Sequence, residues 1–336
     1  MSRKLVSILR RARLTLGASA LAVGLASVMA AGSAFAAAYP ERPVTIIVSF
    51  AAGGGADVSA RVLARELSKS LGQQVVVDNR GGAGGRIGIG AAARAKPDGY
   101  TVLLTSSVYV VNPSMFKQIP YDPDKDFLPI VEIGVSPNVM VTRPDSGIKS
   151  VADLIALARA NPDLISYGSP GTGTTPQLAA EVLKVRAKIN MVHVPFSGQA
   201  PALQAVLGKQ IQLMSASLSG GITPHINAGA LRALVQTGKE RWTDLPNVPT
   251  MAEAGIEDAV SETFHAVLAP AGTPPEIVAR LAKESIAALN QREPRDLLWQ
   301  AGLSVTARGP EALRARIVTE IPMWKDIIEK AGIKPE

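Results

Sequence analysis

Short runs of β-branched residues alternate with amphipathic stretches in the first third of the chain. A run such as VTIIVS is typical of a buried strand, and the spacing of Leu63, Leu67 and Leu71 indicates the apolar face of a helix. Gly72 follows that helix, where a glycine commonly ends one. The elements predicted here are strands at 44–49, 75–79 and 101–105, a helix from Asp57 and a helix near 87–95. This order predicts a parallel sheet with crossover helices.

The same alternation returns after two extended segments at 130–135 and 138–142, which can carry the chain from one folding unit to another. The elements predicted after them are a helix opened by Ser150 and ending near Asn161, strands at 166–168, 191–195, 211–215 and 267–269, an extended segment at 231–237, and helices from Pro176, at 200–207 and from Pro275. We therefore expect an α/β protein of two lobes, with several segments crossing between them.

The N-terminus has the features of a secretory signal peptide. Five basic residues precede an apolar run at 14–30, and Ala34-Phe35-Ala36 matches a small-residue cleavage site. We expect cleavage near Ala36 and a periplasmic protein; an uncleaved membrane anchor is the alternative, and the export route stays open. Removing residues 1–36 takes away five positive charges and no acid, so the net charge becomes +7 − 5 = +2. A nearly neutral mature chain gives no indication of nucleic-acid binding.

The composition disfavours several kinds of chemistry. The chain has no cysteine, which excludes thiolate nucleophiles, disulfides and a cysteine-linked lipid anchor. Its three histidines are not at metal-ligand spacing, and His193 lies in an apolar strand, where a core role is expected. No G-x-S-x-G elbow and no P-loop occur. We therefore expect no catalytic residue, no metal and no cofactor, and an enzyme is the weaker hypothesis.

Two glycine-rich loops each join a predicted strand to a predicted helix. The first is Gly53-Gly54-Gly55, and the second runs from Ser169 to Thr174. Backbone N–H groups and the positive end of a helix can hold an anion at such a junction. Plain turn chemistry and helix capping are the alternatives. Two such loops in separate lobes favour a bilobal clamp for a carboxylate or a phosphate.

Nine segments in a fixed order carry a family resemblance. They are 42–57, 75–85 (VVVDNRGGAGG), 97–104 (PDGYTVLL), 112–126, 167–174, 192–198 (VHVPFSG), 224–234 (PHINAGALRAL), 245–255 (LPNVPTMAEAG) and 268–274 (LAPAGTP). The chain resembles, over about residues 41–333, the extracytoplasmic substrate-binding proteins of tripartite tricarboxylate transporters, the Bug or TctC-like family. The resemblance implies a type II periplasmic-binding-protein fold, in which two α/β lobes close on a ligand. The expected division is a signal peptide at 1–36, lobe one at 39–140 and 263–336, and lobe two at 141–262.

The resemblance also implies a ligand, a site and partners. The ligand would be a small di- or tricarboxylate or an aromatic acid, delivered by a monomer to the membrane permease subunits of a tripartite transporter. A secreted enzyme acting on a carboxylate, and a sensor that engages the ectodomain of a sensor kinase, are the alternatives. The ligand-binding residues implied are Phe50, Ala51, Ala52, Gly53, Gly54, Asp57, Ser106 and Ser107 from lobe one and Ser169, Gly171, Thr172, Thr174, Phe196, Ser197, Ala216 and Ser217 from lobe two. Asp57 could equally cap its helix.

Three departures from the family pattern bear on the ligand. Phe196-Ser197 stands where relatives often carry a tyrosine and a polar partner, Ser215-Ala216-Ser217 where many carry an acid, and Pro170 where Ser or Thr is usual. A phenolic hydroxyl and a cation are thereby missing from the distal half of the pocket. We expect a ligand without an ammonium group, and one with an aromatic or otherwise apolar body would suit such a pocket.

Overall fold

The computed structural model describes residues 39–256 and 261–335. The predicted signal peptide lies outside these residues. The strands are β1 Val44–Val48, β2 Val75–Asn79, β3 Thr101–Ser106, β4 Phe127–Thr142, β5 Ser166–Ser169, β6 Val192–Pro195, β7 Leu213–Ser217, β8 Arg232–Gln236, β9 Glu262–Pro270 and β10 Ser304–Arg308. The helices are α1 Gly55–Leu71, α2 Arg86–Ala93, α3 Val108–Met115, α4 Val151–Ala160, α5 Thr175–Ala187, α6 Gln199–Leu207, α7 Thr223–Asn227, α8 Pro275–Leu289, α9 Arg292–Gln300 and α10 Pro310–Lys330.

The strands form two parallel groups joined by β4 and β9. The order along the sheet is β2-β1-β3-β9-β4-β7-β5-β6, and β8 and β10 pair with β4. Strands β1, β2 and β3 are mutually parallel, and so are β5, β6 and β7, whereas β9 runs antiparallel to β3 and β4. The predicted two-lobed α/β architecture is confirmed.

Strand β4 belongs to both lobes. Its residues Phe127–Pro137 pair with β9, and Asn138–Thr142 pair with β7 and β8. The change of partner therefore falls between Pro137 and Asn138. The exact lobe limits given above stay a prediction.

Helices cover both faces of the sheet in lobe two. Met140 lies in an apolar cluster with Leu154 of α4 and Leu183 of α5. Val139 and Val141, its neighbours on β4, lie in a second cluster with residues of α6. Successive side chains of a strand point to opposite faces, so this alternation divides the core into two layers.

Several elements differ from the sequence-based expectation. The two extended segments form one continuous strand, β4, which contains Pro129 and Pro137. Helix α3 was not predicted because Pro113 lies inside it. Strand β10 was missed, and β9 begins at Glu262, well before the predicted 267. No helix in the described part of the chain has the length and apolar character needed to cross a membrane.

Candidate ligand-binding cleft

A small cavity lies where the carboxyl ends of strands from both lobes meet. Its volume is about 40 Å³, room for only a few water molecules. We call it the first cavity. It is lined by Phe50, Gly54, Gly55, Ala56, Ser106, Pro170, Thr174, Thr175, Pro176, Gln199, Ser217, Ser219, Thr263 and His265. These described lining residues include no Asp, Glu, Lys or Arg.

Lobe one contributes the N-terminus of α1. Its N-cap residue is Gly54, and no side chain caps the helix, while Gly54, Gly55 and Ala56 line the cavity. The loop before it is tied down by Asp57, whose Oδ2 accepts the Gly53 N–H at 2.9 Å and pairs with Arg61 at 3.0 Å. A helix end without a side-chain acceptor presents N–H groups and a partial positive charge to an anion.

Asp57 organises this loop and does not line the cavity. Burial alone would raise the pKa of its carboxyl, but hydrogen bonds from Arg61, the Gly53 N–H and Asn79 outweigh burial and lower the pKa below its ordinary value. The carboxylate therefore stays charged, with its Oδ2 bonded to Gly53 and Arg61.

Lobe two contributes the N-terminus of α5. Thr174 caps this helix, because its Oγ1 accepts the Gln177 N–H at 3.4 Å and donates to the Gly171 carbonyl at 2.7 Å. Thr175 Oγ1 lies 2.6 Å from Thr263 Oγ1, which donates to Asn138 Oδ1 at 2.8 Å. The hydroxyls of the lining are thus bonded into the strands that cross between the lobes, and they hold fixed positions.

A second polar wall comes from the start of α6 and the end of β7. Gln199 binds the Ser217 backbone twice: its Nε2 donates to the Ser217 carbonyl at 2.8 Å, and its Oε1 accepts the Ser217 N–H at 3.1 Å. Ser217 Oγ lies 2.8 Å from Ser219 Oγ, and the Ser219 N–H donates to Ser136 Oγ at 2.8 Å. This wall is preorganised by its own hydrogen bonds.

His265 forms part of the wall contributed by β9. Its Nδ1 lies 2.8 Å from Ser59 Oγ, and burial lowers the pKa of the ring to about 4. The imidazole is therefore neutral at neutral pH. With a neutral histidine and no charged lining side chain, the described surroundings stabilise an anion through helix N-termini and neutral donors.

A second cavity, of about 290 Å³, also lies between the lobes. It is lined by Gly82, Ala83, Gly84, Arg86, Gly171, Thr172, Pro195, Phe196 and Ser197. The Ala51 N–H donates across the cleft to the Ser197 carbonyl at 3.3 Å. This bond joins the two loop systems beside the second cavity, so the lobes are in direct contact in this conformation.

The residues predicted from sequence fall into three groups. Phe50, Gly54, Ser106, Thr174 and Ser217 line the first cavity. Gly171, Thr172, Phe196 and Ser197 line the second cavity. Neither lining includes Ala51, Ala52, Gly53, Asp57, Ser107, Ser169 or Ala216.

Local hydrogen bonds explain two members of the third group. Ser107 Oγ accepts the Phe264 N–H at 2.8 Å. Ser169 Oγ accepts the Gly171 N–H at 3.2 Å and lies 2.7 Å from His193 Nε2. His193 itself stacks on Tyr167 with ring centroids 4.9 Å apart, and burial is the main cause that lowers its pKa to about 4. The histidine is thus a packed, neutral partner of the turn.

Nine residues of the first cavity were not among the predicted ligand-binding residues: Gly55, Ala56, Pro170, Thr175, Pro176, Gln199, Ser219, Thr263 and His265. Gly55 and Pro170 belong to the two glycine-rich loops predicted to bind an anion, and a strand signal existed for two others. Thr263 and His265 alternate with Glu262 and Phe264, the period of a strand. Gln199 had no such signal, because only its bonds to the Ser217 backbone bring it to the cavity.

Comparison with known proteins identifies the family. A family model described as "Tripartite tricarboxylate transporter family receptor" (TctC) matches residues 59–333. The chain belongs to the TctC family. A relative named "Protein BugT", from Bordetella pertussis, is 38% identical over 300 residues, which are 88% of this chain and 91% of BugT.

Two solved structures share the fold. The periplasmic binding protein BugD is 36% identical, with a TM-score of 0.85 over 89% of this chain and 100% of BugD. Rpa4515 of R. palustris, solved with adipate, is 33% identical, with a TM-score of 0.85 over 89% of this chain and 100% of Rpa4515. These likenesses confirm the predicted type II periplasmic-binding-protein fold and the Bug/TctC-like resemblance.

Proposed function

We propose that this TctC-family chain is a periplasmic receptor that captures a small organic carboxylate between its lobes and delivers it, unchanged, to the membrane permease of a tripartite transporter. One observation carries the proposal. The uncapped N-terminus of α1 and the threonine-bearing N-terminus of α5, from opposite lobes, line the same first cavity, and no charged side chain of the described residues lines that cavity. Such a cavity favours an anion without needing a counter-ion.

The expected affinity is consistent with this geometry. A micromolar dissociation constant requires about 8 kcal/mol. A hydrogen bond to a charged group contributes roughly 1.5–3 kcal/mol. Three or four such bonds from the two helix ends and the neighbouring hydroxyls are therefore sufficient. The adipate bound to Rpa4515 supports a carboxylate as the ligand class.

Binding without turnover accounts for the lining better than catalysis does. The titratable residue of the first cavity, among those described, is His265, and burial keeps it neutral. An acid–base pair would need a second titratable side chain beside the substrate, and the described lining has none. The basic and apolar residues before Ala36 support export of the chain.

The experiment uses protein recovered from the periplasm of an expressing Gram-negative cell. Intact mass should place the new N-terminus near Ala36. Calorimetry and thermal unfolding are then measured with adipate, hexanoate and uncharged 1,6-hexanediol. We expect one carboxylate per chain, no binding of the diol, and recovery of the acid unchanged.

A ligand at a hundred times its dissociation constant stabilises the native state by about 2.7 kcal/mol, which raises the melting temperature of a chain of this length by about 4 °C. A panel of mono-, di- and tricarboxylates that produces no shift would overturn the proposal, and so would chemical conversion of a bound acid.

A further inference from the structure

Arg86 supplies a cation to the second cavity. The residue begins α2, directly after the glycine-rich loop that follows β2, and it is half-buried. Among the described residues that line the cavity, Arg86 is the one charged side chain. The departures from the family pattern leave the lobe-two segments without a cation, whereas this cation comes from lobe one.

The guanidinium of Arg86 is held in place by uncharged groups. Its Nε donates to the Ala83 carbonyl at 2.9 Å, and Nη1 donates to the Gln118 carbonyl at 3.4 Å. Its Cζ lies 3.5 Å above the centre of the Phe116 ring. Within residues 39–256 and 261–335 it forms no ion pair with a carboxylate. The group is therefore oriented, and donors remain for an anion.

The linings of the two cavities include residues that are neighbours along the chain. Pro170 lines the first cavity, and the next residue, Gly171, lines the second. Phe50 lines the first cavity, and its neighbour Ala51 donates to Ser197, which lines the second. In this conformation the first cavity has a volume of about 40 Å³, so we place one carboxylate in it and direct the body of a longer acid toward the second cavity.

We propose that the ligand is a dicarboxylate whose second carboxylate is bound by Arg86 in the second cavity. This inference rests on the proposed function, since the first carboxylate occupies the first cavity. Arg86 thus determines specificity for dicarboxylates over monocarboxylates. The described lining residues of both cavities include no Asp or Glu, which disfavours a ligand that carries an ammonium group.

The test compares unbranched dicarboxylates of four to eight carbons with monocarboxylates of equal length. Calorimetry is performed on the wild type, on Arg86→Met and on Arg86→Lys. We expect the best diacid to bind the wild type about 10- to 100-fold more tightly than its monoacid. Arg86→Met should abolish that ratio by weakening the binding of the diacid, and Arg86→Lys should retain part of the ratio.

Arg80→Met is the matched control. Arg80 belongs to the same loop region, but it pairs with Asp78 at 2.8 Å and does not line the cavity. This variant loses the same formal charge and should keep the wild-type ratio. The monomethyl ester of the best diacid, tested on the wild type, removes the charge from the ligand instead, so the inference is tested even if Arg86→Met does not fold.

The outcomes separate the two proposals. Monoacids that bind as tightly as diacids, a full diacid preference in Arg86→Met, or an ester that binds like the free diacid would each overturn the role of Arg86 while leaving the receptor function intact. If no mono- or dicarboxylate of the series binds the wild type, this inference is overturned. If none of the wider panel of mono-, di- and tricarboxylates binds either, the proposed receptor function is overturned as well.

Discussion

At the scale of single residues, the direction of a side chain decided what the sequence could predict. Asp57 and Ser169 lie in the expected glycine-rich loops, but both bond to N–H groups of their own loops, Gly53 and Gly171. A polar residue beside glycines can serve a ligand or its own turn, and only the backbone path decides which. Thr174 does both, because it caps α5 and lines the first cavity.

His265 gives a prediction at this scale. The pKa of a histidine is 6.5 ordinarily and about 4 for the buried ring. Between these pH values the unfolded chain binds more protons than the folded one, so stability falls as the pH drops through this window. From pH 7.5 to pH 4 the loss due to His265 is about 3 kcal/mol.

Urea unfolding of the wild type and of His265→Gln at both pH values measures this loss, which the variant should lack. Thr263→Val, a neighbour on β9 without a titrating group, is the control and should keep the wild-type dependence on pH. If the free energy of unfolding depends on pH equally in the wild type and in His265→Gln, the lowered pKa of His265 is contradicted.

At the scale of elements, the sequence predicts helices and strands whose hydrophobic residues are regularly spaced, and it fails where that spacing is interrupted. Helix α1, with its leucines and the left-handed Gly72 after it, closely matches the sequence-based expectation. The sequence predicts two separate segments in place of β4, because prolines and a glycine interrupt the apolar run. In the structure the strand is continuous through these residues, since it pairs with β9 and β7 on either side of them. Tertiary pairing of this kind overrides local preference and is not visible in a single sequence.

A buried charged cluster links β4 to α10 and gives a second prediction. Glu132 of β4 is fully buried and accepts from Arg316 at 3.0 Å and from Thr306 Oγ1 at 2.6 Å. Removing its charge leaves Arg316 with Glu320 as its remaining close carboxylate. We expect Glu132→Gln to reduce the free energy of unfolding by about 3 kcal/mol.

Glu329→Gln on the same helix is the control, because Glu329 and Lys325 form an exposed pair at 3.9 Å; its cost should stay below about 0.5 kcal/mol. Both values come from urea titration at neutral pH. A loss no larger for Glu132→Gln than for Glu329→Gln would show that the buried cluster adds nothing to stability.

At the scale of the whole molecule, the described conformation has the lobes together. The Ala51 N–H bonds the Ser197 carbonyl, and a Cβ added at Gly198 would lie 3.2 Å from the Cβ of Ala51. The two-lobed organisation was predictable, since it follows from repeated strand–helix order. The loops that touch across the cleft could not be predicted from the sequence, because their contact depends on how far the lobes rotate toward each other.

Gly198→Val tests whether this contact accompanies ligand binding. The backbone of Gly198 is extended, so valine fits the backbone, but its methyl groups collide with Ala51 when the lobes meet. We expect a folded protein with ligand affinity reduced about 10-fold or more, because a ligand that touches both lobes favours the closed state.

In small-angle scattering, this variant should stay expanded when ligand is added. Gly309→Val at the start of α10 is the control, since its added Cβ meets only the flexible end of Ile286, at 3.4 Å. Wild-type affinity in Gly198→Val would argue against closure at this contact.

Strand β4 has a consequence for how the protein can be divided. It supplies a central strand to each lobe and changes partners between Pro137 and Asn138. A fragment holding a single lobe would either lose that strand or expose a long unpaired edge, the kind of surface that aggregates. Neither lobe is therefore an autonomous module, and calorimetry should record one melting transition. Circular permutation should succeed only at surface turns far from this shared strand.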